Sequence, residues 1–170
     1  MELKFKKLRE DAVLPSYAHD GDAGLDLSNI GFTQEFDRSG KMVLVYHTGL
    51  AVEIPEGHVG LIFCRSSIAE KSLNMTNCVG VIDHGYTGEV TVKFKITTDA
   101  LPTIYKEGEK IAQLIVLPYP KMEPTFVEDI VAGERGENGY GSTDNKVENE
   151  ESEQGRESGT AEGDDKQLQA

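Results

Sequence analysis

Apolar and polar residues alternate along the middle of the chain with a period of two, which predicts β-strands. The segments EVTVKFKIT, GLAVEIPEG and HVGLIFC share this pattern. Their apolar faces consist of Val90, Val92, Phe94 and Ile96, of Leu50, Val52 and Ile54, and of Val59, Leu61 and Phe63. MVLVYH and IAQLIVLP are near-continuous apolar runs, typical of strands buried on both faces. Glycine and proline recur between these segments, so the pattern predicts an all-β sandwich or barrel.

One short helix is predicted in RSSIAEKSL, where Ser67 and Glu70 fit the S-x-x-E capping box. The chain contains no repeat of 20–50 residues, which argues against a solenoid or a propeller.

Composition narrows the class of protein. The 170 residues favour one domain, and the net charge of −13 argues against unspecific attraction to nucleic acid or to an anionic membrane. The N-terminal MELKFKKLRE lacks the apolar core of a signal peptide, and no apolar run approaches the ~20 residues of a membrane span. Cys64 and Cys78 have no CxxC spacing and are predicted to be two buried thiols, with a disulfide between them as the alternative. We therefore expect a soluble, cytoplasmic protein.

The last 27 residues differ from the rest of the chain. Residues 144–170 hold nine acidic and three basic residues, so they carry −6 of the total charge of −13. Almost no large apolar side chain is present, and burial cannot offset the entropy of ordering. The segment is predicted to be a disordered, solubilising tail.

The stretch GVIDHGYTGEV, residues 80–90, combines three glycines with an acid and a tyrosine. It predicts a hairpin whose opened ladder offers backbone N–H and C=O groups to the edge of a flat heterocycle. Asp83 could take a proton from water there, and the Tyr86 ring could close one wall. The alternative is a glycine-rich hairpin with a capping aspartate.

The stretch CRSSIAE places a guanidinium and two hydroxyls at the start of the predicted helix. Arg65, Ser66 and Ser67 together suit an anion site. The alternative makes Ser67 a helix cap and Arg65 a surface ion-pair partner.

The stretch ERGENGYGSTD, residues 134–144, is rich in glycine and can lay backbone N–H groups along phosphate oxygens. Arg135 could pair with a terminal phosphate, Ser142 and Thr143 add hydroxyl donors, and Tyr140 could stack on a base. No Gly-Lys-Ser/Thr follows, so this is not a Walker A loop. The alternative is a linker.

Two further stretches, DGDAGLDL and GEKIAQL, place polar side chains within apolar runs. Asp26 lies between two leucines, so in a strand it faces away from both and could orient a Mg²⁺-bound water. Gln113 interrupts an apolar run, and a buried amide needs hydrogen-bond partners. The alternatives are a strand-end aspartate and an edge-facing glutamine.

Across roughly residues 1–143 the sequence resembles the homotrimeric dUTPase family (deoxyuridine 5′-triphosphate nucleotidohydrolases). The five family motifs occur in order as AGLDL, RSS, NCVGVIDHGYTGE, GEKIAQL and RGENGYGST. The resemblance implies a β-clip, a distorted all-β jelly roll, assembled as a homotrimer with three active sites at subunit interfaces. It implies hydrolysis of dUTP to dUMP and pyrophosphate, which limits uracil in DNA and supplies dUMP for dTMP synthesis. It also implies a core over 1–133, a mobile closing loop over 134–143 and the acidic tail over 144–170.

The resemblance also implies roles for individual residues. Asp83 would activate the water that attacks the α-phosphorus, and Gln113 would contact that water or the α-phosphate. Asn77 and the backbone of residues 81–83 would hold the uracil edge and the sugar, and Tyr86 would exclude a 2′-hydroxyl. The implied substrate-binding set is Arg65, Ser66, Ser67, Asn77, Gly80, Val81, Ile82, Asp83, Tyr86, Gln113, Arg135, Tyr140, Gly141, Ser142 and Thr143.

The phosphate end of the implied site includes a metal. Mg²⁺ would bind mainly to the triphosphate, with Asp26 meeting its hydration shell. Arg65, Ser66 and Ser67 would bind the phosphates, and the stretch after Gly133 would close over the γ-phosphate with Tyr140 on the uracil. Tyr140 stands where family members often have phenylalanine, and Glu137-Asn138 stands where small residues are common.

Three other functions remain open at this point. A dCTP deaminase, alone or combined with a diphosphatase, shares the fold but needs a glutamate poised at C4 of cytosine. A nucleotide sensor would bind dUTP together with a regulatory protein partner. A capsid-like structural sandwich would need none of the three donor-rich motifs.

Overall fold

The computed structural model describes residues 1–131, 133 and 136, which form ten β-strands and one 3₁₀ helix. The strands are β1 (Lys4–Lys7), β2 (Leu25–Ser28), β3 (Phe32–Phe36), β4 (Met42–His47), β5 (Leu50–Glu53), β6 (His58–Cys64), β7 (Leu73–Met75), β8 (Gly80–Ile82), β9 (Thr91–Ile96) and β10 (Lys110–Pro118), and the 3₁₀ helix is Ser66–Glu70. The all-β prediction is confirmed. Among the described residues, no helix is long and apolar enough to cross a membrane.

The strands form two four-stranded antiparallel sheets and one two-stranded ribbon. One sheet has the order β2-β10-β6-β8, the other has the order β3-β4-β9-β7, and β1 pairs with β5. All of these elements lie in one compact unit, Met1–Glu123. In the second unit, residues 124–131 form neither helix nor strand.

The core takes side chains from both four-stranded sheets, and three aromatic rings lie within it. Tyr46 packs edge-to-face on Phe94 and on Tyr105, with ring centroids 5.7 and 6.0 Å apart. The Tyr46 hydroxyl donates a hydrogen bond to the Tyr105 carbonyl at 3.2 Å. Burial raises the pKa of Tyr46 to about 12.

The predicted alternation is confirmed in β9 but is out of phase in β6. Val92 and Phe94 are buried and the lysines between them are exposed. In β6, Gly60 and Ile62 are the buried residues, while the predicted apolar face, Val59, Leu61 and Phe63, is only half-buried. Both faces of β6 are apolar, so the period of two identifies the strand without identifying its inner face.

The hairpin predicted over residues 80–90 is absent from the described fold. β8 pairs with β6 in one sheet, whereas β9 pairs with β4 and β7 in the other. The stretch between them is therefore a crossover from one sheet to the other.

Two smaller predictions are also wrong. The 3₁₀ helix begins at Ser66 with Arg65 in the cap position and no side-chain cap, so Ser67 is inside the helix and forms no capping box. The two thiols are free, but only Cys64 is half-buried, and burial raises the pKa of its thiol. Cys78 is exposed in a left-handed turn with φ +58°.

Candidate active site

A cavity of about 280 Å³ lies beside β8, where the two sheets part. Its lining includes five of the predicted site residues, Asn77, Gly80, Val81, Ile82 and Tyr86. A Cβ at Gly80 would stand 3.0 Å from the Ile62 Cβ, so glycine allows β8 to pack closely against β6. The structure therefore brings together the residues predicted to hold a base and a sugar, except Asp83, which does not line the cavity.

A tight turn follows β8 and carries Asp83 and Tyr86. The Tyr86 amide donates to the Asp83 carbonyl at 3.2 Å, and Gly85 has φ +88°, as position i+2 of such a turn requires. The Tyr86 hydroxyl donates to the Glu89 carbonyl at 3.1 Å, and a side chain at Gly88 would clash with that hydroxyl. Asp83 is exposed, and its carboxylate accepts no hydrogen bond from the residues that the structure describes.

The Asp26 carboxylate, on β2 of the sheet β2-β10-β6-β8, contacts two cationic side chains. Its Oδ1 accepts from the Arg65 Nε and its Oδ2 accepts from the Lys110 Nζ, each at 2.7 Å. Burial alone would raise the pKa of Asp26, but the Lys110 hydrogen bond and the Arg65 charge outweigh it and lower the pKa. Two cations around one carboxylate leave a net positive charge, which suits an anion.

Gln113 joins this cluster from β10, where its Cα lies opposite Asp26 on β2 and Phe63 on β6. Its Nε2 donates to the Cys64 carbonyl at 3.3 Å, which provides the partner that a buried amide needs. A Cβ at Gly24 would stand 2.6 Å from the Gln113 Oε1. Glycine in the AGLDL stretch therefore makes room for this side chain.

The two predicted serines lie next to Arg65 at the start of the 3₁₀ helix. Ser66 is exposed, and the Ser67 hydroxyl lies 3.5 Å from the Tyr105 hydroxyl. Arg65 uses only its Nε in the contact with Asp26, so its two terminal nitrogens remain as donors.

Apart from Val81, whose side chain lies on the outer face, the strand residues of the two groups occupy opposite faces of the sheet β2-β10-β6-β8. Ala112 and Leu114 point into the core, so Gln113 between them points out, and Asp26 across the ladder points the same way. The cavity beside β8 is lined by core side chains, including Ile62 and Ile82. A single protomer therefore does not bring the cation cluster and the cavity into one pocket.

Several predicted residues lie outside the described residues. These are Arg135, Tyr140, Gly141, Ser142 and Thr143, together with the loop over 134–143, apart from Gly136, and the tail over 144–170.

The structure adds residues that the sequence did not single out. Lys110 belongs to the GEKIAQL stretch, and its position one strand from Asp26 could have been inferred only from the register. Glu89 accepts from the Gly49 amide at 2.8 Å and lies 3.1 Å from the His47 Nδ1. Glu89 thereby anchors the end of the stretch that contains Tyr86.

The side chains described above suit a metal ion only when an anionic ligand also holds that ion. Within the residues that the structure describes, no three His, Cys, Asp or Glu side chains form a metal-binding group. Both Asp26 oxygens already accept from cations. Because each carboxylate oxygen has a second lone pair, Asp26 can still contact a water of a hydrated ion that is held by phosphates.

Comparison with known proteins identifies the family. The dUTPase family model matches residues 10–144. The deoxyuridine 5′-triphosphate nucleotidohydrolase of Hydrogenobaculum sp. is 40% identical, over 84% of this chain and 98% of its own. A dUTPase of Staphylococcus bacteriophage 80alpha with dUPNHPP is 30% identical with a TM-score of 0.68, over 83% of this chain and 97% of that chain.

A further solved structure concerns a metal. A variant dUTPase of phage phi11 of S. aureus, which shows the coordination of a structural Mg(II) ion, is 27% identical with a TM-score of 0.63, over 78% of this chain and 100% of that chain. The family match covers all of the residues that build the cavity and the cation cluster. On these grounds the chain belongs to the dUTPase family and is a nucleotide hydrolase.

Proposed function

We propose that this chain hydrolyses dUTP to dUMP and pyrophosphate by attack of an Asp83-activated water on the α-phosphorus. The observation that carries the proposal is the pairing of a base-sized cavity beside β8 with a turn whose Asp83 carboxylate accepts no hydrogen bond from the described residues. In the attack, the water oxygen bonds to the α-phosphorus and the bond to the bridging oxygen breaks. Pyrophosphate leaves, and the water proton passes to Asp83.

The cavity residues account for selection of a deoxyuridine nucleotide. Asn77 and the backbone of Val81 and Ile82 supply polar groups at the cavity wall, which suit the edge of uracil. The Tyr86 ring is fixed through its hydroxyl, so it can pack under the deoxyribose and leave no room for a 2′-hydroxyl. A fixed ring discriminates between deoxyribose and ribose better than a mobile ring does.

The cation cluster accounts for the triphosphate. Arg65, Ser66 and Ser67 offer donors beside Gln113, and Asp26 keeps the guanidinium in place. Mg²⁺ bound to the triphosphate would neutralise charge that develops on the leaving group. We assign Asp26 to the hydration shell of that ion. Arg135, Ser142 and Thr143, with Tyr140 and Gly141, would close over the nucleotide as a loop over 134–143.

A homotrimer would unite the two halves of the site. The outer face of the sheet carries a strip of apolar residues that are half-buried or exposed, namely Val59, Leu61, Phe63, Val81, Ile115 and Leu117. Such a strip is typical of a surface covered by another copy. Because the cation cluster and the cavity occupy opposite faces, each complete site would take one half from each of two neighbouring subunits.

Pyrophosphate release tests the proposed activity most directly. dUTP, dCTP, dTTP and UTP are compared side by side, with and without Mg²⁺. We expect release from dUTP well above release from the other three, and a strong loss without Mg²⁺. Ammonia release from dCTP would instead identify a deaminase, and release from all four nucleotides alike would contradict the specificity assigned to Tyr86.

A regulatory role is a second candidate function. The phage 80alpha relative is one of the phage dUTPases that control transfer of virulence genes by a G protein-like mechanism. In this chain such a role would require a protein partner that dUTP releases, and the acidic segment over 144–170 is the part outside the family match. The test is release of a co-purified partner on addition of dUTP.

The hydrolase itself would act in the cytoplasm, where it would limit uracil in DNA and supply dUMP.

A further inference from the structure

The turn that carries Asp83 and Tyr86 has few connections to the rest of the protein. Two of its hydrogen bonds are local, from the Tyr86 amide to the Asp83 carbonyl and from the Tyr86 hydroxyl to the Glu89 carbonyl. In the part of the chain that the structure describes, a single hydrogen bond joins residues 83–88 to another element. It comes from the His84 imidazole.

The His84 Nδ1 lies 2.7 Å from the Ile54 carbonyl oxygen. A carbonyl can only accept, so Nδ1 carries the hydrogen and donates it. Ile54 follows β5 and is 1% exposed, with its side chain in the core. The bond therefore fastens the turn to a residue whose side chain is anchored in the core.

Packing gives the turn little additional support. A cavity of about 540 Å³ lies between the turn and the β1–β5 ribbon, and its lining includes residues 84–87 together with Phe5 and Val52. Side chains that line open space make few dispersion contacts on that side. The position of the turn consequently depends on its hydrogen bonds.

We infer that His84 is a positioning residue for the reaction, since its hydrogen bond to the Ile54 carbonyl sets where Asp83 and Tyr86 stand. This inference rests on the proposed function. His84 itself touches neither water nor nucleotide in this role. Misplacement of a reacting group by about 1 Å can cost about 100-fold in rate. Loss of one remote hydrogen bond can therefore appear in turnover rather than in folding.

Three variants separate positioning from simple stabilisation. His84→Leu removes the donor, whereas His84→Asn keeps an N–H donor close to the place of Nδ1. His58→Leu is the matched control, because the His58 Nδ1 lies 3.0 Å from the carbonyl of Glu56, only two residues away. With dUTP at 25 °C we expect kcat to fall about ten- to 100-fold in His84→Leu, and to stay near the wild-type value in His84→Asn and His58→Leu.

Hydrogen exchange without nucleotide gives a readout that does not require activity. In His84→Leu the Tyr86 amide, which donates to the Asp83 carbonyl, should exchange faster, while the amides of β9 should keep their protection. If wild-type protein does not hydrolyse dUTP, the proposed function fails, and the exchange measurement still tests the inference. Wild-type kcat together with unchanged exchange in His84→Leu would overturn it. A lower Tm with normal kcat and normal exchange would overturn it as well.

Discussion

Asp26 holds Arg65 by the Nε atom, at 2.7 Å from Oδ1, and so fixes the guanidinium without covering its tip. Lys110 occupies the second oxygen at the same distance. The Asp26 carboxylate therefore positions two cationic side chains, in addition to the contact with a hydrated metal ion that we propose for it. This double contact gives the first prediction.

Asp26→Asn should lower the free energy of unfolding at pH 7 by about 2 kcal/mol, because two charge-assisted hydrogen bonds lose their anion. The pKa of Asp26 is lowered in the folded protein, so its contribution is present above the ordinary value of 3.8 and is lost as pH falls below it. The difference between wild type and variant should thus be largest near pH 7 and smaller at pH 3. Urea unfolding at both pH values measures it. Asp11→Asn, in the exposed pair with Arg9, is the control and should change stability by less than about 0.5 kcal/mol.

Asp83→Asn should keep nucleotide affinity within about tenfold of wild type and lower kcat at least about 100-fold, the range expected for loss of a general base. The amide preserves the shape of the turn but cannot take the water proton. Calorimetric binding of dUPNHPP and steady-state pyrophosphate release measure the two effects. Turnover close to wild type would remove Asp83 from this role.

Co-expression of Asp83→Asn with Arg65→Ala tests whether neighbouring subunits share each site. Each variant alone should be nearly inactive. In randomly mixed trimers, about one quarter of the sites would combine an intact Asp83 from one subunit with an intact Arg65 from its neighbour. We expect about one quarter of wild-type activity in the mixture. A mixture no more active than its components would show that both residues act from the same chain.

Tyr46→Phe should lower the free energy of unfolding by about 1 kcal/mol, because the Tyr105 carbonyl loses its buried hydrogen-bond donor. The folded pKa of Tyr46 is raised from 10.0 to about 12, so its contribution is complete below pH 10 and is lost as pH rises toward 12. Stability of the wild type should therefore fall more steeply over this range than stability of the variant. Chemical unfolding at pH 9 and pH 11 compares the slopes. Tyr119→Phe, at a partly exposed ring, should leave the slope unchanged.

Two truncations separate the closing loop from the tail. A chain that ends at Gly133 retains the compact unit Met1–Glu123 and should fold and assemble, yet show little activity because Arg135 and Tyr140 are missing. A chain that ends at Thr143 should keep nearly full activity. Circular dichroism, gel filtration and pyrophosphate release are measured on both. Activity in the shorter chain would contradict the loop assignment, and a large loss in the longer one would give the tail a catalytic role.

The alternation of residues was sufficient to predict the all-β class and the buried face of β9. It failed at β6, where Ile62 and Phe63 are both apolar and only the partner strands decide which one faces the core. It also failed at the crossover after β8, because turn residues such as Gly85 indicate a reversal of the chain without showing which strand comes next.

The grouping of some candidate residues was predictable from the sequence, whereas their arrangement was not. Asn77, Val81 and Tyr86 are close in sequence and meet at one cavity, which local motifs can anticipate. The contacts of Asp26 with Lys110 and of His84 with Ile54 join residues far apart in sequence. Such contacts depend on which distant parts of the chain become neighbours in the fold, and no single stretch of sequence specifies that.

The cavity and the cation cluster lie on opposite faces of a sheet. With each site shared as we propose, activity would require assembly of several copies in addition to folding. If neighbouring copies share each site as we propose, a newly synthesised chain lacks a complete nucleotide site until other copies bind to it. Specific activity should consequently decline on extreme dilution. A substitution confined to the outer face would then produce a folded but inactive protein.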